Sequence, residues 1–123
     1  MVRRNRNPII ALAQMRYFDI SKSNNLEKIK KYIRLAKKKK ADIVCFPESC
    51  VHKTKTLNLK HNFIQDIANE CKKNSIWCII TEDITIKNKD YNTALLINRK
   101  GKIIGNYKKI HLYGDGTNIT HGT

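Results

Sequence analysis

Apolar residues recur along the chain in two rhythms. One is alternating or unbroken; the other has a period of three to four. Ile9, Ala11 and Ala13 share one side of a short run, and Ile10, Leu12 and Gln14 share the other. Both sides are mainly apolar, which predicts a strand from Ile9 to Gln14 covered on two faces. Ala41 to Phe46 ends in the unbroken run Ile43 to Phe46 and predicts a second strand of the same kind. Pro47 stops it, because proline has no N–H to extend a ladder. Ile76 to Ile80 predicts a third strand, with Trp77 read as core. Asn92 to Ile97 and Lys102 to Tyr107 predict a fourth and a fifth, joined across Asn98-Arg99-Lys100-Gly101, with Gly101 available for a left-handed position.

The second rhythm fills the intervals. Leu26, Ile29, Ile33 and Ala36 make a helical stripe. That helix opens at Asn24 or Asn25, with Glu27 in a capping-box position relative to Asn24. It closes on Lys37 to Lys40, where positive charge complements the helix dipole. Phe63, Ile64, Ile67, Ala68 and Cys71 mark a second helix from about Leu59 to Lys73. Residues 49–58 read as a polar loop and Lys87 to Asp90 as a turn. Strand–helix–strand–helix–strand followed by a hairpin predicts an α/β fold with parallel crossovers and both helices on one face of the sheet. No residues remain to cover the other face, so a partner chain or a further half of the fold is expected there.

At 123 residues the chain makes one domain at most. We expect a basic arm at 1–7, a folded region at 8–113, and a polar, disordered tail at 114–123. The formal charge of +15 permits binding to nucleic acid or anionic surfaces. The lysines are scattered, however, and the Lys37–Lys40 run has no interleaved aromatic platform, so solvated lysines explain it better. The cysteines Cys45, Cys50, Cys71 and Cys78 contain no C-x-x-C pair, and His52 and His61 complete no zinc pattern. Reduced thiols in a cytoplasmic protein without metal or cofactor are expected. No apolar run approaches the ~20 residues of a membrane span. Arg3 to Arg6 followed by Ile9 to Ala13 imitates a signal peptide, but its apolar part is too short.

Candidate chemistry gathers at two strand ends. Glu48 follows Pro47 at the carboxyl rim, where layered α/β folds build sites. Burial there would raise its pKa and suit it to base work. Read alone, Glu48 is better explained as a rim carboxylate that caps a loop or pairs with a lysine. Lys109 ends the fifth strand. A glutamate beside a lysine can supply a base and an oxyanion partner once a nucleophile joins them. Cys50, with His52 or His111 as base, is an alternative nucleophile, although proximity on a loop is not triad geometry.

The order of the motifs adds to this. Ile10-Ala11-Leu12-Ala13-Gln14-Met15, Asn25-Leu26, the run Ala41 to Glu48, Tyr91-Asn92-Thr93-Ala94, and Gly101 followed by Tyr107-Lys108-Lys109-Ile110-His111-Leu112 come in sequence. Together they resemble the nitrilase superfamily of carbon–nitrogen hydrolases, over roughly residues 8–113. The resemblance implies the N-terminal half of an α-β-β-α sandwich and a Glu-Lys-Cys mechanism. Glu48 matches the general base and Lys109 the catalytic lysine. Lys108 is then a solvated neighbour, and His111 orders the following loop. The family's nucleophilic cysteine lies downstream of the lysine motif, and none of the four cysteines here has that context. Lys40 and Thr81 stand where the family often has glycine; at Lys40 the left-handed cap costs about 1 kcal/mol. The resemblance thus implies an N-terminal fragment, inactive alone, of an enzyme for small amide, carbamoyl or nitrile substrates. It would work as a homo-oligomer or with its missing C-terminal half.

Overall fold

The computed structural model describes residues 6–15, 22–112 and 119–122. Residues 1–5 of the expected arm, and 114–118 and 123 of the expected tail, lie outside the described residues. Six strands and two helices follow in the order β1 (Ile10–Leu12), α1 (Leu26–Lys38), β2 (Ile43–Cys45), β3 (Leu57–Asn58), α2 (Asn62–Asn74), β4 (Trp77–Ile86), β5 (Lys89–Ile97) and β6 (Ile103–Lys108). They form one mixed sheet ordered β1-β2-β4-β5-β6, with β3 on the β2 side of β4. The β1, β2 and β4 strands are parallel, as expected of helical crossovers, and β4, β5 and β6 are antiparallel.

The core lies between the helices and one face of the sheet. Ile29, Ile33 and Ala36 of α1 and Ile64, Ile67, Ala68 and Cys71 of α2 pack with Val44, Cys78, Ile80, Ile84, Leu95 and Ile97. Arg34 of α1 also bridges to Glu70 of α2 at 2.8 Å. Both helices end alike. Ala41 N–H donates to the Ala36 carbonyl and Lys40 N–H to that of Lys37; Ile76 repeats this with Cys71, and Ser75 with Lys72. This closure requires a left-handed residue, and Lys40 (φ 63°) and Ser75 (φ 49°) take that role without being glycine.

Among the described residues nothing covers the opposite face, and both helices are spent on the core side. The register places Leu12, Cys45, Ile79 and Leu96 in one row across it, and Ile10, Ile43 and Trp77 in another. Leu12 is 79% and Ile10 58% exposed, and Tyr107 on β6 is 61% exposed. Trp77, expected in the core, belongs to this face and is only half-buried. The uncovered apolar surface expected from the residue pattern is therefore present.

Several boundaries differ from the sequence reading. The third expected strand runs on through Ile86, because a two-residue turn, Lys87-Asn88, with φ 51° and 66°, lets β4 and β5 pair along their whole length. The second helix begins at Asn62, and Leu57–Asn58 of the expected loop pairs with Ile84 and Thr85. No capping box forms at α1; the Asn24 side chain accepts from Leu26 N–H at 3.0 Å instead. Arg6, in the expected loose arm, makes two 2.8 Å bonds to the Asp42 carboxylate. In the expected disordered tail, Thr120 N–H donates to Asp90 and Gly122 N–H to Lys109.

Candidate active site

Glu48 reaches the rim because β2 leaves the sheet at Pro47. Phe46 N–H makes the last ladder bond, to the Ile79 carbonyl at 2.9 Å, and Cys50 N–H rejoins β4 at the Thr81 carbonyl, 3.0 Å away. Between them the chain bulges outward, with Ser49 in a left-handed conformation (φ 50°). Lys109 follows the last residue of β6, and its N–H donates to the Asn92 carbonyl at 2.8 Å. Two distant segments thus end side by side. Lys109 Nζ lies 3.0 Å from Glu48 Oε1, and Asn92 Nδ2 donates to that oxygen at 2.8 Å. The sequence reading placed Glu48 and Lys109 together but gave Asn92 no role, although it lies in the quoted Tyr91–Ala94 motif.

The electrostatics overturn one expectation. Glu48 is not a desolvated carboxylate with a raised pKa. Its side chain is 54% exposed, and the Lys109 ammonium, helped by Asn92, holds its pKa below the ordinary value against a smaller effect of burial. In the described residues Glu48 is an ion-pair partner. Asp83, on the same face of β4, is raised first by burial and then by the charges of Glu48 and Asp90. Lys108 lies over the Tyr91 ring, 4.4 Å from its centre, rather than free in solvent. His111 is exposed.

The four thiols are free. Cys50, the alternative nucleophile, is buried, and its pKa is pushed up to about 12. One of its two proposed bases is engaged elsewhere, since His52 Nδ1 accepts from Thr54 and Lys55 N–H. Cys71 and Cys78 lie in the core behind the sheet, and Cys45 on the open face is raised by burial. Nucleophiles need the opposite shift. The described residues contain no cluster of metal-binding side chains, and no described helix is long and apolar enough to cross a membrane.

Sequence reasoning also missed Glu82. It is 2% exposed and faces the helices beside Thr93. Its Oε2 accepts from Val51 N–H at 2.8 Å and His52 N–H at 2.9 Å, and its Oε1 accepts from Asp83 N–H at 3.0 Å. The signal was available: Cys78, Ile80, Glu82 and Ile84 alternate inward once the strand is carried past Ile80.

Known proteins share the fold that carries this site. The sequence profile described as carbon-nitrogen hydrolase matches residues 9–122. Among solved structures, Saccharomyces cerevisiae Nit3, a member of branch 10 of the nitrilase superfamily, is 24% identical with a TM-score of 0.65, over 80% of this chain and 42% of its own. A double mutant of the amidase from Nesterenkonia sp. AN1, in complex with acrylamide, is 17% identical with a TM-score of 0.78, over 100% of this chain and 51% of its own. A variant of an N-terminal amidase is 21% identical with a TM-score of 0.72, over 92% of this chain and 30% of its own. At these identities the likeness is one of fold, and the chain spans about half or less of each structure's length. No curated protein matches the chain.

Proposed function

Since the chain belongs to the carbon–nitrogen hydrolase family, we propose that it carries the base and the oxyanion partner of an amide-cleaving site whose nucleophilic cysteine lies outside these residues. The observation that carries this reading is the 3.0 Å approach of Lys109 Nζ to Glu48 Oε1 at the rim of a sheet with one bare face. In the completed site Glu48 takes the proton of a cysteine thiol, and the thiolate attacks the amide carbon. Lys109 stabilises the charge that develops on the former carbonyl oxygen. The C–N bond breaks, the nitrogen leaves as ammonia or an amine carrying a proton, and water hydrolyses the thioester.

The chain alone is then inactive. The four thiols are buried or raised, and Glu48 is held below the ordinary range. Even an ordinary carboxylate would take a proton from an ordinary thiol uphill by about 4 pH units, or about 6 kcal/mol. The covering half, or a partner chain, must desolvate the pair. We take amides as the substrate class, ahead of carbamoyl amines and nitriles, because the Nesterenkonia amidase structures contain acrylamide and butyramide. A hollow lined by Leu12, Ala13, Gln14, Met15, Cys45, Phe46 and Pro47 precedes Glu48 along the chain and is mainly apolar, which suits a small acyl group. The reading of a basic module for nucleic acid or anionic surfaces rests on net charge alone.

The test is ammonia release from butyramide. The purified chain should give none. The chain combined with a covering half or partner that supplies the cysteine should give turnover that Glu48→Gln and Lys109→Met each remove. Turnover by the chain alone, abolished by Glu48→Gln, would contradict the assignment of the nucleophile. Turnover of the completed protein untouched by either substitution would overturn the roles of both residues.

A further inference from the structure

We propose that Glu82 is a positioning residue for the reacting pair: its carboxylate clasps the turn after Glu48 to β4 and thereby sets where Glu48 is presented. The proposal rests on reading Glu48 and Lys109 as that pair. The turn has reason to need a clasp. Pro47 contributes no N–H to the ladder, and Ser49 sits in a left-handed conformation that side chains disfavour. The chain therefore leaves β4 after Phe46 in a form it does not favour by itself. What returns it is a short series of bonds, Cys50 N–H to the Thr81 carbonyl and then the successive N–H groups of Val51 and His52 to a single oxygen of Glu82.

Residue type and place support a specific role. Glu82 interrupts an inward row of Cys78, Ile80 and Ile84, where an apolar residue would pack more cheaply. Its described bonds all come from backbone N–H groups, two of them in the turn. Burial pushes the Glu82 carboxyl up and those donors act against it, while they in turn would be stranded without it. On the other face of the same strand, Asp83 feels the charge of Glu48. Glu82 therefore fixes the turn from behind the sheet while the pair reacts in front of it. It touches neither reacting group.

The test reads the Glu48 carboxyl in the folded chain by NMR titration, with Glu48→Gln to assign the signal. In the parent chain Glu48 should titrate below the ordinary glutamate range, and Lys109→Met should move it up. Glu82→Met fills the same volume without an acceptor. It should move Glu48 up to the ordinary range while the resonances of α1, α2 and β5 stay native. Glu82→Gln should keep Glu48 low, since its carbonyl can still receive both turn amides. A merely structural role would lower stability without altering Glu48 in the folded population, so an unchanged Glu48 titration in Glu82→Met would overturn the proposal. If Glu82→Met does not fold, amide exchange in the parent chain decides. Val51 and His52 should be protected like Cys50, and exchange at the rate of an open loop would overturn it. The titration needs no turnover, so its outcome is separate from that of the amide assay.

Discussion

Glu48 has two donors on one oxygen and more than half its side chain in solvent, and that combination separates its structural value from its chemical value. An exposed ion pair contributes little to folding, typically under about 1 kcal/mol. Lys109→Met should therefore leave the urea midpoint nearly unchanged while lowering turnover of the completed protein by at least about 10²-fold, the scale for loss of an oxyanion partner. Asp42 shows the reverse case, a charged group that only builds structure. Its pKa is held down to about 2, first by the Arg6 hydrogen bonds and then by Ile9 N–H. A carboxyl whose folded pKa is depressed stabilises the fold above its unfolded value and loses that contribution as pH falls through the folded one. Stability measured by urea unfolding should therefore fall from about pH 4 towards pH 2, and Asp42→Asn should flatten part of that slope. Of these residues, Glu48 and Lys109 were legible because each follows a clear strand. Asn92 and Glu82 were not, because their roles depend on cross-strand register.

Among the elements, the helices were the most legible, since a buried stripe at period 3.6 needs no knowledge of neighbours. Ile29, Ile33, Ile64 and Ile67 are all fully buried where the pattern places them. The strands were less so. The polar Thr81-Glu82-Asp83 run reads as an end, whereas the pairing of β4 with β5 carries it through. The helix ends show what local sequence leaves unoptimised. Lys40→Gly and Ser75→Gly remove the penalty of a left-handed side chain, and each should raise stability by about 0.5–1 kcal/mol in urea unfolding. Gly101 is the converse. Its φ is 72°, and an added Cβ would lie 2.6 Å from the Ala68 carbonyl of α2. Gly101→Ala should cost more than about 1 kcal/mol, because strain and clash act together.

For the molecule as a whole, the apolar pattern on strands with helices on only one side implies a face that water should not see, and Leu12, Ile10 and Tyr107 are exposed on it. That inference needed no homologue, because it follows from counting layers. What the sequence could not show is the electrostatic consequence: the same opening that bares the sheet keeps Glu48 solvated and paired, and so weakly basic. Under the proposed function, covering the sheet and arming the site are one event. The measurement that tests this most directly is the titration of the Glu48 carboxyl in the chain alone and in the completed protein. We expect a midpoint below the ordinary glutamate range in the first and a clear rise in the second, as the pair is desolvated. A midpoint that stays low in a completed protein that turns over amide would contradict it.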